Sequence, residues 1–294
     1  MKSDIRILIS ECTDPFFNSA FEDYIFRNLR PQERILLIWR NTPSVFIGRF
    51  QNIFQECNVM EIEKDGLPLL RRQSGGGTVF HDLGNTNFTF FCSREDYNEN
   101  ENFTLVIDAL HTEFQLSVER SGRNDLLLES RKISGSAFKF TGKSAMHHGT
   151  LLINADLRKL KKYLSPPDFE FRSKGIQSVS SSVLNISELS ADATHESVYR
   201  AIISRFIEKY GKPEGIETYS KEIMKAVADI VQRKDDFSSW EWIYGKNPKF
   251  TFYWDGLIFY VEKGYIRAVK KEEKEQNNAY LDKPFSLYDF LDDK

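Results

Sequence analysis

The run RRQSGGGTVFHD, residues 71–82, sets bare backbone beside positive charge. Gly75, Gly76 and Gly77 follow Arg71, Arg72 and Ser74, and a β-type run starts at once afterwards. Glycine has no Cβ, accepts positive φ and lets a ligand touch the main chain. Successive free N–H groups in such a turn make an anion-binding concavity, and a nearby guanidinium suits phosphate or carboxylate. The plainer reading is a tight turn with two solvated arginines. Neither G-x-x-x-x-G-K-[ST] nor G-x-G-x-x-G is present, which excludes a Walker loop and a dinucleotide fingerprint. A second candidate is Lys132, in a short β-type run just ahead of Gly135 and Ser136. A lysine there delivers one compact positive charge to a site shaped by other elements, although an exposed hairpin lysine is the commoner case. A third is the pair His147–His148. Adjacent strand residues face opposite ways, so joint metal ligation is not expected. One histidine should be core or hydrogen-bonded and the other should border a cleft.

Short β-rich runs and helices must position these residues. PFFNSAFEDYIFRNL (15–29) predicts a helix, with Phe17, Ala20, Phe21, Tyr24 and Ile25 at helical spacing and Pro15 in the first turn. RILLIWR (34–40) and SVFIGRF (44–50) read as strands split by the turn signal NTP. Residues 77–82 and 86–93 read as two more, and 103–120 as a second helix. DLLLESRKISGSAFKF (125–140) predicts a hairpin reversing at Glu129–Ser130, followed by a strand at 147–156 and a short helix at 156–164. A Ser-rich stretch, 178–189, precedes helices at 195–211 and 220–233. Strands mixed with helices, without strict alternation, predict an α+β fold with mixed or antiparallel sheets. The aromatic, turn-rich stretch 235–250 marks a junction. Beyond it, 250–271 predicts a small three-stranded unit and 270–278 a solvated loop. The expected domains are 1–246 and 247–294.

Bulk properties narrow the function. Lys+Arg is 40 against Asp+Glu 43, a net charge of -3, so no basic excess points to nucleic acid. Cys12, Cys57 and Cys92 are odd in number and widely spaced, which argues against a disulfide framework or zinc site and fits a reducing compartment. The start MKSDIRILISECTDPFF lacks the pattern of a secretory or transit segment, and no apolar run approaches membrane-spanning length. A soluble intracellular protein, without membrane partner, is expected.

Taken together, these stretches resemble the lipoate–protein ligase A and lipoyltransferase family, of the biotin/lipoate ligase superfamily. The resemblance rests on PSVFIGRFQN (43–52), RRQSGGGTVFHDLGNTNFTF (71–90), RNDLLLESRKISGSA (123–137), HHGTLLINADL (147–157), KGIQSVSSSVLNI (174–186) and SWEWIYGKNPKF (239–250), six blocks in the family's order. It runs from about Asn18 to Phe250; many family members carry a larger accessory domain than the residues beyond. It implies a large catalytic domain with mixed or antiparallel sheets flanked by helices, plus a small C-terminal α+β accessory domain. The implied reaction activates lipoate with ATP and Mg2+ to lipoyl-AMP and then acylates a specific lysine. Implied acceptors are lipoyl domains of 2-oxoacid dehydrogenase acyltransferases or the glycine-cleavage H protein. A monomer is expected, cytoplasmic if bacterial and in the mitochondrial matrix if eukaryotic. Two alternatives are kept: a lipoyltransferase using preformed lipoyl-AMP or another carrier, and a non-catalytic lipoate binder.

The same resemblance implies residue roles. Lys132 would bridge the lipoate carboxylate and the α-phosphate. Arg72, Ser74, Gly75, Gly76, Gly77, Thr78, Val79, Phe80, Asn85, Asn124, Asp125 and Lys132 would hold ATP or lipoyl-AMP, with a turn-capping role equally open for Asn124 and Asp125. Phe46, Arg72, Val79, His81, Lys132, Gly135, Ser136, His148 and Gly149 would surround lipoate. No metal site of protein ligands alone is implied; Asp125 would meet Mg2+ only through the nucleotide. Phe16, Phe17 and Phe88 are further candidates for an apolar slot for the dithiolane tail, with core packing the default for each, and Asn87 is a supporting candidate. No cysteine lies in the glycine or lysine segments, which favours the adenylate route over a cysteine thioester.

Overall fold

The computed structural model describes residues 4–272, 274–275 and 279–290. In chain order its elements are β1 (Asp4–Ser10), α1 (Pro15–Arg27), β2 (Glu33–Trp39), β3 (Ser44–Ile47), α2 (Ile53–Glu56), α3 (Val59–Lys64), β4 (Leu69–Arg71), β5 (Val79–His81), β6 (Asn85–Ser93), α4 (Glu99–Phe114), β7 (Glu119–Arg120) and β8 (Asp125–Leu128). There follow β9 (Arg131–Phe140), β10 (Ser144–Leu152), α5 (Leu157–Tyr163), β11 (Glu170–Ser173), α6 (His195–Tyr210), β12 (Ile216–Tyr219), α7 (Lys221–Lys225), α8 (Ala228–Ser238), α9 (Trp240–Ile243), β13 (Phe250–Trp254), β14 (Leu257–Glu262), β15 (Tyr265–Lys271) and β16 (Lys274–Glu275). The fold is α+β, as expected. It forms two compact units of interleaved segments: Met1–Pro43, His81–Leu157 and Ser180–Lys234 in one, Ser44–Phe80, Arg158–Val179 and Asp235–Lys294 in the other. This division by compactness is distinct from the division by role expected at residue 246/247.

The first unit is built on a mixed sheet of order β12-β1-β2-β6-β10-β9-β8-β7. β1 runs parallel to β2 and β12, and β6, β10 and β9 are antiparallel neighbours. Parity along β6 and β10 assigns the two faces. Phe88, Phe90 and His147 join a core shared with Phe103 and Val106 of α4 and Val198 and Phe206 of α6. Thr89 and His148 face the other way, toward Glu22 of α1. α1 starts where expected: Asp14 caps it by accepting from Phe16 N at 3.0 Å and Phe17 N at 3.2 Å, and Pro15 opens the first turn. The reversal between β8 and β9 falls at Glu129 and Ser130, whose φ values of 50° and 60° match a two-residue hairpin turn.

In the second unit the short sheet β4-β3-β5 carries the glycine run between β4 and β5. β13, β14 and β15 form the expected three-stranded unit. β11 and β16 extend it to the order β11-β13-β14-β15-β16, over an aromatic core of Phe54, Phe171, Phe250, Phe252, Phe259, Phe285 and Phe290.

Several expectations need correction. The helix expected at 103–120 starts earlier, where Asn98 caps α4, and stops at Gln115, whose left-handed φ of 57° ends it before β7. The helix expected at 220–233 is two, α7 and α8. Half of the stretch 235–250, expected to be turn-rich, is helical, comprising the end of α8 and α9, the latter capped by Ser239; turns follow from Tyr244. Of the loop expected at 270–278, Lys271 ends β15 and Lys274–Glu275 pair back on it; residues 273 and 276–278 lie outside the described residues. Among the described residues no helix is long and apolar enough to cross a membrane.

Candidate active site

The triglycine turn is shaped by its own flanks. Arg49 N donates to Ser74 O at 3.0 Å. Arg72 turns back over the loop: Nε donates to Ser74 Oγ and Gly75 O, both at 3.1 Å, and one terminal nitrogen to Gly75 O and Gly77 O, both at 2.6 Å. The other terminal nitrogen reaches Phe46 O at 3.2 Å. Because a trans peptide sets each C=O opposite the following N–H, pulling these carbonyls toward Arg72 turns amides the other way. Among the described residues the N–H groups of Gly75, Gly76 and Gly77 have no hydrogen-bond partner. Gly76 is solvent-exposed with φ 85°, a conformation only glycine adopts cheaply. Gly48 is equally constrained, since a Cβ there would lie 2.1 Å from Gly76 O. A row of unpaired amides, with the carbonyls of Ser74, Gly75 and Gly77 tied down, is a built anion nest. Val79 is half-buried in β5 and Phe80 packs on Tyr163, ring centroids 5.6 Å apart.

The two arginines of the run divide their work. Arg71 is fully buried and donates to Ile243 O, Gly48 O, Gln51 O and Asn247 Oδ1 at 2.8–3.1 Å. Burial, with Arg72 next to it, pushes its pKa down to about 10. Sequence reading paired it with Arg72 as a possible solvated residue; it is a structural hub. Arg72 was expected on phosphate, and here its guanidinium braces the loop that would meet phosphate.

Lys132 lies on β9, whose main chain is bracketed by the Ser-rich stretch: Lys132 N donates to Ser182 O at 2.8 Å and Leu184 N to Lys132 O at 3.0 Å. Its Nζ pairs with Asp125 Oδ1 at 2.8 Å, both side chains mostly buried. Lys132 reaches across bare Gly135, where a Cβ would stand 3.1 Å from both Cε and Nζ. Asn124 is in the β7–β8 turn with φ 66°, and its Oδ1 accepts from Arg120 at 2.5 Å, so it has a turn role.

On the α1 side of the large sheet, Glu22 Oε1 accepts from Thr89 Oγ1 at 2.7 Å and meets His148 Nδ1 at 2.9 Å, while Trp39 Nε1 donates to Thr89 Oγ1 at 3.0 Å. His81 is buried and meets Asn41 Nδ2 at 3.2 Å through Nδ1. Asn85 and Asn87 are buried and joined by a 3.0 Å hydrogen bond. Asn85 Oδ1 and Asn87 Nδ2 are left without a partner among the described residues, as is Ser136 Oγ on β9. Gly149 is covered on the core side by Phe88, whose ring would meet a Cβ at 2.3 Å. Phe88, Phe46 and Phe17 are buried, and Phe16 is half-buried. His147 is the core histidine of the pair, caged by Phe88, Phe90, Phe103 and Phe138, with neither ring nitrogen bonded among the described residues.

All three cysteines are buried. Burial pushes the Cys92 thiol up to about 11 and raises Cys12 and Cys57 as well. Among the described residues no group of three or more His, Cys, Asp or Glu side chains could hold a metal ion.

The sequence matches the lipoyl protein ligase A/B catalytic domain family over residues 14–207. The chain belongs to this family. It is 44% identical over 252 residues to lipoate-protein ligase A of Psychrobacter cryohalolentis, covering 84% of this chain and 74% of that protein. Among solved structures it is similar to P. falciparum LipL1 in complex with lipoate, with a TM-score of 0.74, 30% identity and coverage of 90% and 84% of the two chains. The bi-partite archaeal lipoate protein ligase of Thermoplasma acidophilum, described with its E2 lipoyl domain, shares the fold at a TM-score of 0.68 and 24% identity, covering 83% of this chain and 96% of that one.

For a ligase of this family, sequence reasoning missed three polar residues: Gln51 and Ser178, which bond the exit of the glycine turn at Thr78, and Glu56, which holds both of them. Gln51 lies just before the short helix α2 and Glu56 ends it, and both are buried. Ser178 is lost among its serine neighbours. A carboxylate embedded in a short, largely apolar run, IFQEC, was the available signal.

Proposed function

We infer that this chain is a lipoate–protein ligase, which activates lipoate with ATP to lipoyl-AMP and passes the lipoyl group to a lysine of a lipoyl-domain protein. The observation that carries this reading is the built anion nest at Gly75–Gly77, in a chain whose curated relative at 44% identity is a lipoate-protein ligase A. The lipoate carboxylate attacks the α-phosphate and pyrophosphate leaves; the acceptor amine then attacks the acyl carbon and AMP leaves. Negative charge gathers on the α-phosphate in both steps, and fixed N–H donors and a cation stabilise it.

The residue roles are proposals. Lys132 supplies the cation to the carboxylate and α-phosphate, exchanging its Asp125 partner for the ligand. The amides of Gly75, Gly76 and Gly77 bind phosphate oxygens, with Arg72 holding them in place. Thr78, Val79, Phe80 and Asn85 border the nucleotide. Phe46, His81, Gly135, Ser136, His148 and Gly149 border lipoate, and the unpaired Asn87 Nδ2 offers a donor to an oxygen there. Mg2+ arrives with the ATP phosphates, because Asp125 is one carboxylate already paired with Lys132 and the site needs phosphate oxygens to complete a coordination shell. Catalysis is assigned to 1–246, with 247–294 as the accessory part. The acceptor is a lipoyl domain of a 2-oxoacid dehydrogenase acyltransferase or the glycine-cleavage H protein; the archaeal relative described with its E2 lipoyl domain supports this class of partner. The deciding experiment is mass spectrometry of an apo lipoyl domain after incubation with the chain, lipoate and Mg2+, with and without ATP. One lipoyl adduct that requires ATP is expected. An adduct formed from lipoyl-AMP but never from lipoate and ATP would leave transfer alone.

A further inference from the structure

Glu56 is a buried carboxylate that no cation contacts among the described residues. Burial raises its pKa against the pull of its hydrogen bonds. Its Oε2 accepts from Gln51 Nε2 at 2.7 Å, from Ser178 N at 3.1 Å and from Ser178 Oγ; Oε1 accepts only from Ser178 N, at 3.2 Å. These contacts determine what Ser178 can do. A hydroxyl has one proton and two lone pairs. With the proton on Glu56, the lone pairs accept from Thr78 N and from Gln51 Nε2, both at 3.0 Å. Gln51 completes the clasp: its Oε1 accepts from Gly48 N at 3.0 Å and from Thr78 Oγ1 at 2.9 Å. The peptide joining Gly77 to Thr78 is thereby gripped at both poles, its carbonyl by Arg72 at 2.6 Å and its N–H by Ser178. Gly77 seats directly on the clasp, since a Cβ there would come within 3.0 Å of Ser178 Oγ. Ser178 itself is exposed, on a stretch with no regular secondary structure, so without these bonds little else ties it to the turn.

We propose that Glu56 is a positioning residue for nucleotide binding: acting through the Ser178 hydroxyl, it fixes the 77–78 peptide and with it the direction of the triglycine amides, and it does so by hydrogen-bond geometry and not by charge. The inference deepens the ligase reading and rests on it. The test uses the full chain and measures lipoate-dependent pyrophosphate release with ATP varied, together with the equilibrium Kd for ATP. Ser178→Ala, at an exposed position, keeps the fold and raises the KM and Kd for ATP about tenfold while kcat stays within about threefold. Glu56→Ala does the same, and the double variant is no worse than Glu56→Ala, because both changes break one chain of bonds. Glu56→Gln places its single oxygen where Oε2 stands and restores near wild-type values, although the charge is gone. An unchanged Kd in Ser178→Ala, additive effects in the double variant, or a Glu56→Gln as poor as Glu56→Ala would each overturn the proposal. A wild-type chain that binds ATP but releases no pyrophosphate sinks the ligase reading alone, and the Kd series still decides the role of Glu56. A wild-type chain that does not bind ATP sinks both.

Discussion

Lys132→Ala removes one ammonium, and the structure separates its catalytic cost from its structural one. In the folded chain Nζ pairs with Asp125 Oδ1 at 2.8 Å, with about a quarter of the lysine side chain exposed. An ion pair with that access to water contributes about 1 kcal/mol or less, and Asp125 keeps solvent contact after the lysine is gone. The fold should therefore lose about 1 kcal/mol. The activation step should lose far more. A fixed positive donor aimed at developing charge in a water-poor site contributes on the order of 10²–10³ in rate, about 2.7–4 kcal/mol. The assay pairs single-turnover pyrophosphate release with urea unfolding of the same preparation. Asp125→Asn serves as the control, since it keeps an acceptor for Nζ and leaves the ammonium in place; its rate should stay within about tenfold of wild type. Gly135→Ala adds a graded case. Its Cβ meets Cε and Nζ at 3.1 Å, which displaces the flexible end of the lysine without removing it, so the rate should fall between the other two. A Lys132→Ala rate within tenfold of wild type, or a stability loss as large as the rise in its activation free energy, would refute a catalytic role for Lys132.

Three further outcomes follow from buried groups. Arg71→Met should destabilise the chain by about 3 kcal/mol or more in urea, because it strands carbonyls of Gly48, Gln51 and Ile243 and the Asn247 amide oxygen; a loss under about 1 kcal/mol would refute its role as a hub. His147 is held down to a pKa of about 3 by burial first, with His148 and Arg120 adding to it. Its folded pKa lies below the unfolded value near 6.5, so the stability it confers is complete above pH 6.5 and is lost as pH falls toward 3. From pH 7 to pH 4 the loss should be about 3 kcal/mol, and His147→Phe should flatten that limb of the urea-stability profile; parallel profiles would exclude the assignment. Iodoacetamide at neutral pH should leave lipoate-dependent pyrophosphate release unchanged over an hour, because Cys12, Cys57 and Cys92 are buried with raised thiol pKa values; rapid inactivation would reopen a thioester route.

What the sequence disclosed about the fold was the part set by local periodicity and capping. Pro15 after Asp14, the Glu129–Ser130 reversal and the three strands beyond residue 250 are all decided by neighbours a few residues away. Most failures trace to distant partners. DIRILIS becomes an interior strand because β2 on one side and β12, from far along the chain, on the other flank it in parallel. IETY and EFRS are too short and too polar to read as strands alone. They exist as edges, paired with β1 and β13. Gln115 ended α4 early through a left-handed conformation that nothing in its residue type requires.

At the candidate site, residue types were legible and hydrogen-bond partners were not. A glycine run beside arginines announces a place where backbone can meet an anion. It cannot say which acceptors each arginine meets. Arg71 and Arg72 are adjacent and chemically identical, yet strand parity sends one into a buried cage of carbonyls and the other back across its own loop. The same parity split His147 from His148, one into an aromatic cage and one onto Glu22. Turn carbonyls shielded from water need donors of their own, and the residue run does not show which groups supply them. Here those donors are Arg72 on the carbonyl side, with Ser178, Gln51 and Glu56 holding the exit. The turn is thus held by contacts between residues as far apart as Glu56 and Ser178, which a local motif does not encode.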